Sequence, residues 1–165
     1  GLDIGFHQAG FDITACLEID APSCRTLELN RGKYLSNACS VINADITKTL
    51  PDSIGIDSVD FIIGGPPCQS FSAAGRRAGG VAGINDTRGS LFWYYCQYLK
   101  HFQPKGFLFE NGRGILQANK SEDWNIIKES FANVGYQLFY RILDAAAYGV
   151  PQHRERVIMV GVRSD

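Results

Sequence analysis

The sequence predicts an α/β domain built on a mostly parallel sheet, and three observations carry that expectation. Apolar runs that end in Gly, Pro, Asp or Asn alternate with segments of helical period along the chain. Two of those runs, VDFIIGG (59–65) and GFLFEN (106–111), are nearly continuous, the pattern of strands buried on both faces. The 165 residues match one ordinary domain with a core, and neither repeats nor low-complexity tails interrupt them.

FDITACLEID (11–20) reads as the first strand, ending in acids. PSCRTLELNRG (22–32) reads as a helix, with Pro22 near its start and Gly32 past its end. NACSVINADI (37–46) is a shorter strand, followed by VDFIIGG. SLFWYYCQYLKHF (90–102) is a helix opened by Ser90 and stopped before Pro104. GFLFEN is the next strand, and EDWNIIKESFANVG (122–135) a helix closed by Gly135. YQLFYRIL (136–143) and RVIMVGV (156–162) are the last two strands. The longest non-periodic stretch, SAAGRRAGGVAGINDTRG (72–89), holds five glycines and three arginines and no large aromatic, which excludes it from the core. A loop this long in a compact domain is usually functional or disordered.

Bulk composition excludes some classes of function. No apolar run is long enough to span a bilayer, so no membrane partner is expected, and no signal-peptide pattern opens the sequence. A net charge of −1 gives no field for nucleic acid, so such a partner must be met by a local patch. Cysteines at 16, 24, 39, 68 and 96 are odd in number and form no C-x-x-C pair. They indicate neither a disulfide framework nor a zinc site, and they fit a reducing cytoplasm.

Ligands of open parallel sheets gather at the carboxyl ends of the strands. Glu18, Asp20, Asp45, Cys68, Glu110 and Asn111 share that address. Either Glu18 or Asp20 suits a ribose, as the acid after a strand does in nucleotide-binding sheets. A solvated strand-end acid is the plain alternative for each, and for Asp45. Two prolines preset the backbone ahead of Cys68, and two glycines admit close approach of a ligand. A thiolate there is a nucleophile if nearby positive charge lowers its pKa, and an inert cysteine otherwise. Glu110 ends an apolar run, where a carboxyl tends to have a raised pKa and can hold or donate a proton. Arg154 and Arg156, two apart in QHRERV, share one face of extended backbone. Their forks suit carbonyl oxygens, carboxylates and phosphates. His153 points the other way and is assigned no role.

In this order the segments resemble the cytosine carbon-5 DNA methyltransferases, which depend on S-adenosylmethionine. GGPPCQSFS looks like the nucleophile motif of that family, NDTRGSLF (85–92) like the segment after its mobile loop, and ENGRGIL (110–116) like its Glu-Asn motif. YGVPQHRERV (148–157) looks like its Gln-x-Arg-x-Arg motif, while GFHQAGFDITACLEID (5–20) and NADI (43–46) are similar to its cofactor segments. The resemblance implies a Rossmann-like methyltransferase sheet, mostly parallel with one antiparallel strand. It implies that Cys68 adds to carbon 6 of a cytosine flipped out of double-stranded DNA. Glu110 would bind ring nitrogen 3 and the exocyclic amine, Arg156 the ring carbonyl with Arg154 close by, and Asn111 would brace the nucleophile loop. Glu18 would hold the ribose of S-adenosylmethionine, Ile19 pack on adenine and Asp45 bind its amine, with Ile46 and Pro66 as further cofactor contacts. The products are 5-methylcytosine and S-adenosylhomocysteine; no metal is implied.

Against the family pattern, the Phe-x-Gly-x-Gly loop and first strand, the target-recognition domain and the final cofactor-contacting helix are absent from residues 1–165. The expectation is a partial catalytic domain of a restriction-modification enzyme, cytoplasmic, and weakly active or inactive by itself. The missing first strand would leave an unpaired edge on each strand that flanks it. A split enzyme, with a second subunit carrying target recognition, is one alternative. A transfer-RNA cytosine methyltransferase and a non-catalytic relative are the others. Gly112 stands where the family usually has valine, a change expected to loosen the turn behind Glu110.

Overall fold

The computed structural model describes residues 1–67 and 91–164 and divides into two units, Gly1–Asp57 and Ser58–Asp165. Cys68, the Gly/Arg loop at 72–89 and the Ser90 helix start lie outside the described residues.

The first unit opens with α1 (Leu2–Gln8), a helix the sequence reading did not anticipate. Gly10, at φ +92, turns the chain out of it in a left-handed conformation that glycine takes without strain. β1 (Ala15–Glu18) is shorter than the expected 11–20, because its parallel partner β2 (Ser40–Asn43) offers only four residues to pair with. β2 in turn ends early, because the Asp45 side chain folds its own backbone into a turn by accepting from Thr47 N at 2.9 Å. α2 (Ala21–Leu29) is capped by Asp20, whose Oδ2 accepts from Ser23 N at 2.9 Å and Ser23 Oγ at 2.7 Å. Ile13, Leu35 and Cys39 form the buried centre of this unit, with Phe6, Leu27, Cys16 and Val41 packed on it.

The second unit is a four-stranded sheet in the order β3–β4–β6–β5, from β3 (Phe61–Gly64), β4 (Gly106–Gly112), β5 (Tyr136–Asp144) and β6 (Glu155–Arg163). β3 and β4 are parallel, and β6 alone runs against its neighbours. This is the expected sheet with one antiparallel strand. Among the described residues, β1 pairs with β2 and β3 with β4.

Alternation along β4 and β6 sends Phe107, Phe109, Val157 and Met159 to one face, all essentially inaccessible. There they meet Leu99 of α3 (Leu91–Phe102) and Ile127 and Phe131 of α4 (Glu122–Asn133). The Phe131 ring lies 4.5 Å from that of Phe107 and 5.5 Å from that of Phe109, centroid to centroid, within the range of favourable aromatic pairs. Gly161 faces this core because Phe107 needs the room: a Cβ there would lie 2.0 Å from the Phe107 ring. Leu108 and Glu110 take the opposite face. Gly112 stays in the ladder opposite Arg156 with ordinary extended angles, φ −65 and ψ 147. A side chain at Gly112 would enter open space.

Candidate active site

An open cleft of about 180 Å³ lies where β3 and β4 end and β6 begins. Gly65, Pro66 and Pro67 line one side, residues 110–112 the floor, and Arg154 and Arg156 the other side. The register explains the meeting. Glu110 pairs with Ile158 and Gly112 with Arg156, which makes Glu110 and Arg156 diagonal neighbours on one face, a separation that long side chains bridge. Arg156 Nε lies 2.8 Å from Glu110 Oε1, and its Nη1 donates to the Glu155 carbonyl at 2.8 Å. Both side chains are about a quarter exposed, at 28% for Arg156 and 26% for Glu110. The phenylalanines that precede Glu110 point to the other face, and its nearest partner is a guanidinium.

Two further contacts fix this floor. Asn111 Nδ2 donates to the Pro66 carbonyl at 3.0 Å, tying the turn after β3 to β4, and its Oδ1 accepts from Gly112 N at 2.9 Å. Gly65 gives the Glu110 carboxylate its place, since a Cβ on Gly65 would lie 2.6 Å from Glu110 Oε2.

Sequence reasoning missed the groups that hold the arginine strand. Asp144 Oδ2 lies 2.9 Å from His153 Nδ1, and Asp144 Oδ1 accepts from Arg154 N at 2.9 Å. Arg113 Nη1 pairs with Glu155 Oε2 at 2.6 Å beside them. An Asp before Ala-Ala-Ala is a legible helix-cap signal, but its partners near Arg154 could not be read from it.

In the first unit, Glu18 and Ile19 close β1 beside Asn43, which ends β2. Asn43 Nδ2 donates to the carbonyls of Glu18 at 3.0 Å and Ile19 at 2.9 Å. Glu18 Oε1 accepts from Asp20 N at 2.9 Å. Each acid thus has one carboxyl oxygen in a local backbone bond, Glu18 with Asp20 N and Asp20 with Ser23 N. Ile19 is 64% exposed, unusual for an isoleucine next to a strand. The hydroxyl and N–H of Thr47 hold the Asp45 carboxyl below the usual carboxylate range, and Ile46 beside it is half-buried. Pro66, the remaining cofactor candidate, lies instead in the second unit's cleft.

Cys68 follows Pro67 directly in sequence but lies outside the described residues. The other four cysteines are buried or partly buried. Burial pushes the thiols of Cys16, Cys39 and Cys96 up, and Cys24 is buried with its sulfur 3.4 Å from the Glu18 carbonyl. Among the described residues, no group of three or more His, Cys, Asp or Glu could hold a metal ion.

A parallel strand pair in one unit and a sheet with one reversed strand in the other make an α/β protein whose structural likenesses are Rossmann-like methyltransferases. The chain is similar to a prophage-encoded protein of E. coli assigned as a DNA modification methyltransferase, with TM-score 0.75 and 28% identity over 98% of this chain and 43% of that one. A Spodoptera frugiperda DNMT2 variant shares the fold, with TM-score 0.72 at 24% identity over 98% of this chain and 46% of its own. Within that class the chain belongs to the C-5 cytosine-specific DNA methylase family, whose model matches residues 1–165. It is 43% identical over 165 residues to the type II methyltransferase M.FnuDI of Fusobacterium nucleatum, covering all of this chain and 44% of that relative. It is 38% identical to the type II methyltransferase M.AquIA of Picosynechococcus, over 99% of this chain and 68% of the relative. The chain therefore spans less than half of the first of these relatives.

Proposed function

We propose that the complete protein is a type II DNA (cytosine-5)-methyltransferase that methylates a cytosine flipped out of the duplex, using Cys68 as a covalent nucleophile. The observation that carries this reading is the meeting of Glu110, Arg156, Asn111 and the Pro66–Pro67 turn in one cleft, directly before Cys68 in sequence. Family membership supplies the substrate class.

The thiolate of Cys68 adds to carbon 6, and the electron pair of the 5,6 double bond moves toward carbon 5 to give an enamine. Glu110 bonds ring nitrogen 3 and the exocyclic amine while Arg156 bonds the ring carbonyl, so charge that builds during attack meets groups already in place. Arg154 adds positive charge at the same rim. After methylation, carbon 5 loses its proton and Cys68 leaves with the pair of the breaking carbon–sulfur bond. A base within a duplex cannot reach such a cleft, so the target must be extruded.

The end of the β1–β2 pair fits S-adenosylmethionine in its chemistry. It presents a carboxylate for ribose hydroxyls on Glu18, an exposed apolar face on Ile19 and a second carboxylate for an adenine amine on Asp45. Ile46 and Pro66 are assigned to the same cofactor by resemblance. Bound there, S-adenosylmethionine supplies an electrophilic methyl group.

Methyl transfer by the complete protein is expected with duplex DNA and not with transfer RNA. Glu110→Gln should lower kcat about a hundredfold, the usual cost of losing one electrostatic stabiliser. Transfer to RNA alone, or full activity in Glu110→Gln, would overturn the reading.

A further inference from the structure

β5 ends on Asp144 and β6 begins on Glu155, and these two residues face each other at the last rung of their ladder. Residues 145–154 must leave the sheet and return in register before Arg154 and Arg156 can reach the cleft. One carboxylate organises both ends of that excursion. Asp144 Oδ1 accepts from Ala146 N at 3.2 Å, capping the 3₁₀ turn Ala145–Tyr148, and from Arg154 N at 2.9 Å, where the chain comes back. Ala145 N donates to the Arg154 carbonyl at 3.1 Å, closing the loop on itself. Asp144 Oδ2 meets His153 Nδ1 at 2.9 Å.

We infer that Asp144 is a positioning residue for the arginines of the cleft, setting the backbone that delivers Arg154 and Arg156, with His153 as a titratable pin on the same carboxylate. The geometry stands by itself, while its catalytic consequence rests on the function proposed above. The two contacts differ in weight. His153 is 90% exposed, and exposed ion pairs contribute little. The bonds from a charged oxygen to two backbone N–H groups carry most of the positioning.

The charged groups facing His153 are Asp144 at the end of β5 and Glu155 at the start of β6. Arg154 is its chain neighbour, and Glu155 is itself paired with Arg113. The hydrogen bond and charge of Asp144, then the charge of Glu155, hold the imidazolium above its ordinary value of 6.5. The sign follows from that direction. The pin is fully formed below the ordinary histidine value and is lost as pH rises through the raised one. Asp144, held low by His153 and the two N–H groups, stays ionised throughout that window.

The test uses the complete protein as wild type and as Asp144→Ala, Asp144→Asn and His153→Gln. Values of kcat and KM for duplex DNA are measured from roughly pH 6 to 9, across the histidine range, and the His153 imidazole is titrated by NMR. Asp144→Ala should lower kcat about tenfold or more. Asp144→Asn should restore most of that loss, because an amide oxygen still accepts both backbone bonds. His153→Gln should cost less than about threefold and flatten the alkaline side of the profile. Wild-type kcat in Asp144→Ala, or a loss that Asn does not rescue, overturns the proposal. If wild type transfers no methyl group to cytosine, the functional reading fails and the NMR titration decides the pin of His153 on Asp144, as it does if Asp144→Ala does not fold. A His153 pKa that falls in Asp144→Asn supports that pin, and an unchanged one overturns it.

Discussion

Glu110 is held from three sides: Arg156 Nε at 2.8 Å, the backbone of Gly65, and its own place at the end of β4. Of these, Gly65 offers the sharpest test. A methyl group there meets the far end of a flexible side chain, so Gly65→Ala should change unfolding free energy by less than about 1 kcal/mol. The displaced carboxylate should nevertheless cost about a hundredfold in kcat, because misplacement by an ångström disturbs the reacting geometry. Wild-type kcat at unchanged stability would remove Gly65 from the account. The sequence shows Arg154 and Arg156 as a pair, since a period of two is local. It does not show Arg156 on Glu110, because that pairing depends on antiparallel register between distant strands. The partners of Asp144 are illegible for the same reason, because His153 and Arg154 reach it only across the turn between β5 and β6.

At the scale of elements, continuous apolar runs and glycine stops place β3, β4, β6, α3 and α4 within a few residues, because burial on a sheet face leaves a local pattern. The length of β1 is lost because strand length depends on the partner; β2 stops at Asn43, and β1 cannot pair beyond it. α1 is missed although Gly10, the glycine that ends it, is visible in the sequence. Among the described glycines, Gly161 leaves the least room for a side chain, since a Cβ there would lie 2.0 Å from the fully buried Phe107 ring. Overpacking of this kind costs about 1–3 kcal/mol. Gly161→Ala should therefore lower the denaturant midpoint of the second unit, followed by near-ultraviolet circular dichroism. An unchanged midpoint would show that the Phe107 ring can move aside.

Across the whole molecule, the order of motifs is far more legible than any single residue, because within each unit strand pairing brings residues from separate motifs side by side. The cleft gathers Pro66, Glu110, Asn111, Arg154 and Arg156 from β3, β4 and β6. Glu18, Ile19, Asp45 and Ile46 gather at the end of the β1–β2 pair. No helix among the described residues is long and apolar enough to cross a membrane. The central claim is that Cys68 is the nucleophile that attacks the target cytosine, and one measurement meets it directly. The complete protein is incubated with S-adenosylmethionine and duplex DNA carrying 5-fluorocytosine at the target base, a carbon 5 that cannot release a proton. The account predicts a covalent protein–DNA complex that survives denaturation and disappears in Cys68→Ser. No complex with wild type, or a complex that persists in Cys68→Ser, would contradict it.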